Sequence, residues 1–200
     1  MPAQYYKDAL RLGGKERRNC VTHGQYPYLS VLDNFVSLEK SSNGIDLGVQ
    51  QVPAEFIVGT KSAMRTTAFA RNFMPLLPED TEFASKWMQL CQSHLEEGIR
   101  DPVQLYEYMN RYYVAEGNKR VSILKYFDTA TVAAQVTRVL PERTGDPDVE
   151  LYYEFAAFQK CSGINFIEFT KPGGYAELQS LMGKDPDTPW TEDERRRFAT

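Results

Sequence analysis

Tyr112-Tyr113-Val114-Ala115-Glu116-Gly117-Asn118-Lys119-Arg120-Val121-Ser122-Ile123-Leu124 carries, in thirteen residues, the change of backbone regime around which the chain is built. Its first half has the aromatic and β-branched residues of a strand. Its second half places apolar side chains at Val121, Leu124, Tyr126 and Phe127, the spacing of one helix face. Gly117 stands at the joint. A strand that passes through a glycine into a helix start leaves the N–H groups of residues 118 to 121 without helical partners, at the positive end of the helix dipole. Such a corner attracts anions, phosphate above all. Lys119 and Arg120 strengthen it, since a guanidinium grips phosphate oxygens in pairs and an ammonium adds a mobile point charge. The same residues also fit an ordinary strand-to-helix turn with two solvated basic side chains, because short glycine motifs recur by chance.

Working outward, 200 residues with 42% hydrophobic content suffice for one sizeable core, or for one core with an appended subdomain. Twelve tyrosines and eleven phenylalanines exclude a disordered chain. A mean hydropathy of −0.48 excludes a bundle of membrane helices, so no membrane partner is expected. The net charge of −4 argues against a broadly basic nucleic-acid surface and leaves room for a local basic patch. Cys20, Cys91 and Cys161 are odd in number, widely spaced and never in a CxxC pair, which reads as reduced core thiols. The charged N-terminal stretch is unlike a signal peptide, and a cytoplasmic location is expected.

Upstream, residues 2 to 22 read as two short helices broken at Gly13-Gly14, and Tyr26-Pro27-Tyr28-Leu29 leads into a short amphipathic stretch ending near Leu38. Leu47 to Val52 alternates as a half-buried strand and Pro53 ends it. Gly59 to Thr67 is rich in hydroxyls and includes Lys61, Arg65 and Thr66; it suits either a second anion-contacting loop or a plain surface loop. Asp80 or Thr81 caps a clear helix with Phe83, Trp87, Leu90, Cys91 and His94 on one stripe and Gly98 as its stop. His94, on that stripe, reads as a core histidine, and His23, beside Gly24, as structural. Val103 to Tyr108 alternates, and Met109-Asn110 turns it as a hairpin into the Gly117 strand.

Downstream, residues 132 to 140 mark a strand ending at Pro141. A helix over 149–160, a strand over 164–169, a helix over 175–182 and a capped helix from Thr191 follow. No GxSxG, HExxH, Walker A or metal-spaced His/Cys/Asp set is present. Glu96, Glu97 and Asp101 cluster around Gly98, and Glu116 precedes the corner, giving candidates for a general base or a magnesium contact.

The order strand, Val52-Pro53-Ala54-Glu55-Phe56-Ile57-Val58-Gly59-Thr60, Arg65, a helix ending in Glu97-Gly98-Ile99-Arg100-Asp101-Pro102-Val103, then Val114-Ala115-Glu116-Gly117-Asn118-Lys119-Arg120 resembles the ParB/sulfiredoxin N-terminal domain superfamily over residues 47 to 141. The whole chain is similar to ParB-like N-terminal modules of Firmicutes proteins, some fused to a downstream region. In ParB-like domains the helix N-terminus that follows this motif holds nucleotide phosphates. The resemblance implies an α+β fold, a small mixed sheet flanked by helices, wrapped by an N-terminal helical segment (1–46) and a C-terminal α/β extension (142–200) that continues into a longer protein.

The departures are specific. Asn118 stands where sulfiredoxin-like enzymes carry a reactive cysteine, and Ser122 where ParB has a second arginine. No downstream helix-turn-helix is recognisable. The expected ligand is a nucleotide or other phosphorylated small molecule, with Mg2+ as a candidate companion. Gly117, Asn118, Lys119, Arg120 and Ser122 would hold it, with Lys61, Arg65 and Thr66 approaching from the earlier loop. The alternatives are a phosphoryl-transfer or nuclease-type enzyme with catalytic Glu116, and a non-catalytic, DNA-associated or homodimeric interaction module.

Overall fold

The computed structural model describes residues 2–36 and 44–198, with the backbone but not the side chain of Arg65. The chain divides into two compact units, 1–140 and 141–200. The first is an α+β domain built on a six-stranded mixed sheet. Its strands are β1 (Ser30–Val31), β2 (Ile45–Pro53), β3 (Ile57–Thr60), β4 (Val103–Tyr108), β5 (Arg111–Glu116) and β6 (Thr131–Arg138). Their spatial order is β1-β3-β5-β4-β6-β2. The pairs β1/β3, β3/β5 and β4/β6 are parallel, whereas β4/β5 and β2/β6 are antiparallel.

The β4–β5 hairpin turns through two residues, Met109 (φ 51°) and Asn110 (φ 58°), the left-handed pair that matches the right-handed twist of the strands. Glu107 secures this turn by accepting the Asn110 N–H at 2.9 Å. Its other carboxylate oxygen meets Arg138 on β6, where the two residues are in register, and both side chains are almost fully buried. A buried ion pair therefore ties the hairpin to its parallel neighbour.

Three helices supply the rest of the core: α1 (Pro2–Thr22), α2 (Glu82–Glu97) and α3 (Asn118–Tyr126). Thr81 caps α2 by accepting the Ala84 N–H at 3.2 Å, and Gly98 ends it. Tyr6 of α1 meets Trp87 of α2 edge to face at 5.4 Å, and Trp87 meets Tyr126 of α3 at 6.0 Å. Helix α1 is continuous, contrary to the expected break at Gly13-Gly14. Gly13 serves close approach rather than a turn, since a Cβ there would lie 2.4 Å from the Pro75 carbonyl oxygen. The amphipathic stretch expected after Leu29 resolves into β1 and a single 3-10 turn at Leu32–Asn34; its end near Leu38 lies outside the described residues. His94 is half-buried, accepts the Ile99 N–H through Nδ1 at 3.3 Å and packs on Phe127, a structural position.

The second unit contains α4 (Pro147–Ser162), α5 (Gly174–Leu181) and α6 (Glu192–Phe198). Its centre is aromatic: Phe158 contacts Tyr175 at 5.2 Å and Trp190 at 5.9 Å. The strand expected over 164–169 is irregular backbone instead, tied down by Tyr175, whose hydroxyl donates to the Ile167 carbonyl at 3.0 Å. Among the described residues this unit has no strand for such a segment to pair with. Cys20 and Cys91 are buried and Cys161 half-buried, all three free.

Candidate anion-binding corner

The parallel strands β3 and β5 run side by side, and their carboxyl ends deliver the chain to the two loops that the sequence singled out. The Lys61 N–H donates to the Val114 carbonyl at 2.8 Å, which fixes the start of the first loop against the end of β5. Beyond Glu116, Gly117 takes φ 107° and ψ 21°, a left-handed conformation that turns β5 directly into α3. A side chain is excluded there twice over. The backbone region favours glycine, and a Cβ would stand 2.8 Å from Val103 Cγ1 and 3.2 Å from Arg120 Nε. Having no side chain, Gly117 makes no side-chain cap, and the first helical bond of α3 runs from the Val121 N–H to the Gly117 carbonyl at 3.0 Å, so Val121 is not among the open N–H groups that the sequence suggested.

Asn118 begins the helix and reaches across to β3, where its Nδ2 donates to Thr60 Oγ1 at 3.2 Å. The Thr60 hydroxyl in turn donates to the Val114 carbonyl at 3.1 Å. That leaves Asn118 Oδ1 as a buried acceptor to which no described residue donates. Arg120 lies along the same corner. Its Nη1 donates to the carbonyls of Asp101 (3.0 Å) and Pro102 (3.2 Å), and its Nη2 lies 3.7 Å from Glu116. The guanidinium is thus pre-oriented by backbone, while the Glu116 carboxylate is 70% exposed.

The other candidates divide. Lys61 stands at the corner and pairs with Asp33 at 3.4 Å. Lys119 lies over the Phe83 ring, 4.7 Å from its centre, a cation–π contact. Thr66 is buried and its hydroxyl donates to the Ala63 carbonyl at 3.3 Å. Arg65 belongs to the 3-10 segment Ala63–Ala68, and its side chain lies outside the described residues. Ser122 faces inward: it is fully buried and accepts the Trp87 indole N–H at 2.9 Å, holding α3 to α2. Thr60 and Asp33, which the sequence did not single out, stand beside the corner. Thr60 could have been found from strand alternation once β3 was aligned with β5; Asp33 had no local signal.

Among the described residues no group of three or more His, Cys, Asp or Glu side chains is placed to hold a metal, and no helix is long and apolar enough to cross a membrane. A cavity of about 700 Å³ lies elsewhere, at the opposite ends of β3 and β5.

No protein-family model and no curated protein matches the sequence. Among solved structures, the chain is similar to the crystal structure of sulfiredoxin from Arabidopsis thaliana, at 19% identity over 45% of this chain and 84% of that one, with a TM-score of 0.32.

Proposed function

We propose that the Gly117 corner binds the phosphate of a nucleotide or another phosphorylated small molecule. The observation that carries this is the uncapped first turn of α3, opened by a glycine at φ 107° and flanked by Arg120 and Lys61. In this reading the N–H groups of Asn118 and Lys119 receive phosphate oxygens, and Arg120, held by the Asp101 and Pro102 carbonyls, offers its remaining donors. Asn118 Oδ1 calls for a donor, as a sugar hydroxyl would be. Mg2+ would arrive with the ligand's phosphates, Glu116 being an exposed carboxylate at the corner.

The test is thermal unfolding of the full chain against nucleoside mono-, di- and triphosphates, with and without Mg2+. A ligand at about 100 times its dissociation constant adds about 2.7 kcal/mol to the folded state. The expected result is a shift for one nucleotide class that falls in both Arg120→Ala and Lys61→Gln. Because Arg120 also ties down the Asp101–Pro102 backbone, the Lys61 variant separates lost binding from lost structure. Absence of a shift for every nucleotide would overturn the proposal.

A further inference from the structure

The large cavity has a composition of its own. It is lined by Arg71, by Arg111 at the start of β5, and by Lys125 at the end of α3. Tyr26 and Tyr28, in edge-to-face contact at 5.7 Å, stand on its wall. A second cavity of about 470 Å³ adjoins it, and Glu55, Asn72 and Lys125 line both. Lys125 therefore stands between two spaces, its Nζ 5.1 Å from the centre of the Phe73 ring. Burial lowers its pKa to about 8, against a weaker opposing pull from Glu55. Glu16 and Asp128 are the other carboxylates lining these spaces. An ammonium partly withdrawn from water costs free energy unless a counter-charge meets it, and Glu55 is itself solvent-exposed. Three cations around a space of ligand size, with an aromatic pair alongside, are suited to an anionic ring compound.

We propose that this cavity is a second ligand site, taking a small planar organic anion whose phosphate or carboxylate group meets Lys125, Arg71 and Arg111 and whose ring rests against Tyr26 and Tyr28. The site is independent of the Gly117 corner: it is built from side chains of dispersed segments, at the other end of the same two strands.

The experiment follows Lys125 directly. The full chain is treated with trace acetic anhydride at pH 8, and acetylation of each lysine is read by peptide mass spectrometry. Phenyl phosphate, benzoate and neutral benzamide are the probes, and exposed Lys86 is the internal reference. A probe at about four times its dissociation constant protects the amine about fivefold. The expected result is protection of Lys125 and not of Lys86 by phenyl phosphate or by benzoate, which also tells phosphate from carboxylate. Arg71, an exposed residue, provides a variant that leaves the core intact, and protection weakens in Arg71→Ala. Acetylation unchanged by both anions, equal protection by benzamide, or undiminished protection in Arg71→Ala would overturn the proposal. Phosphate captured at the Gly117 corner does not alter this readout.

Discussion

The two ends of α3 meet solvent on opposite terms. At its N-terminus the chemistry is backbone: a left-handed glycine, a turn of N–H groups without a side-chain cap, and cations that already have carbonyl, carboxylate or aromatic partners. At its C-terminus the chemistry is side chain: a half-buried lysine and two arginines that come from separate segments to one cavity. A backbone site needs a special residue at a special place and so leaves a motif. A side-chain site needs only that several segments converge, and leaves none.

The largest expected effect comes from the buried pair behind the cavity end. Arg138→Met takes the cation away from the buried Glu107 carboxylate, which also holds the turn leading into Arg111, and the expected loss is about 3–5 kcal/mol in urea unfolding. A loss below about 1 kcal/mol would mean that water reaches Glu107, and that this end is no better built than the corner.

Gly117→Ala tests the corner itself. The left-handed backbone and the contact with Val103 together cost about 2–3 kcal/mol, read as a lower denaturation midpoint. An unchanged midpoint would show that the glycine is dispensable. Next is Ser122→Ala, which leaves the Trp87 indole without its acceptor and costs about 1–3 kcal/mol. It should leave any nucleotide-induced melting shift intact; a lost shift would return Ser122 to the ligand site.

The smallest effect concerns Lys125 and carries a sign. Its folded-state pKa, about 8, lies below the unfolded value of 10.5, so the cost of holding the cation is complete below pH 8 and is relieved as pH rises from 8 toward 10.5. Lys125→Met is therefore expected to stabilise the protein at pH 7 by about 1 kcal/mol, allowing for solvent screening. That advantage should shrink above pH 8. The buried tyrosines, Tyr6 and Tyr112 both raised to about 12, are common to wild type and variant and cancel in the difference. A pH-independent difference would place Lys125 in water.

Most of the sheet was legible because its signals are local. The alternation of β4, the Met109-Asn110 turn and the Gly117 joint are each written within a few residues. What was missed depended on neighbours. Gly13-Gly14 looked like a helix break because the chain carries no mark that Pro75 packs against Gly13. Residues 164–169 had strand composition, yet a strand also requires a partner edge, which composition does not disclose. At the corner, Gly117, Asn118, Arg120 and Lys61 were legible from one motif and one loop. The inward turn of Ser122 was not, because helix spacing alone did not say which side of α3 meets Trp87. The cavity around Lys125 draws on residues from Glu16 to Lys125, a separation no spacing rule spans.

One feature of the sheet bears on self-association. Its outer strands are β1, only two residues long, and β2, which is broken by a bulge between Asp46 and Gly48 and ends in Pro53. Short, kinked or proline-ended margins are poor templates for an incoming strand. A homodimer of this chain would accordingly be expected to join through side-chain surfaces rather than by extending the sheet across two copies. Deuterium exchange of the β2 amides at low and high protein concentration would tell the two apart.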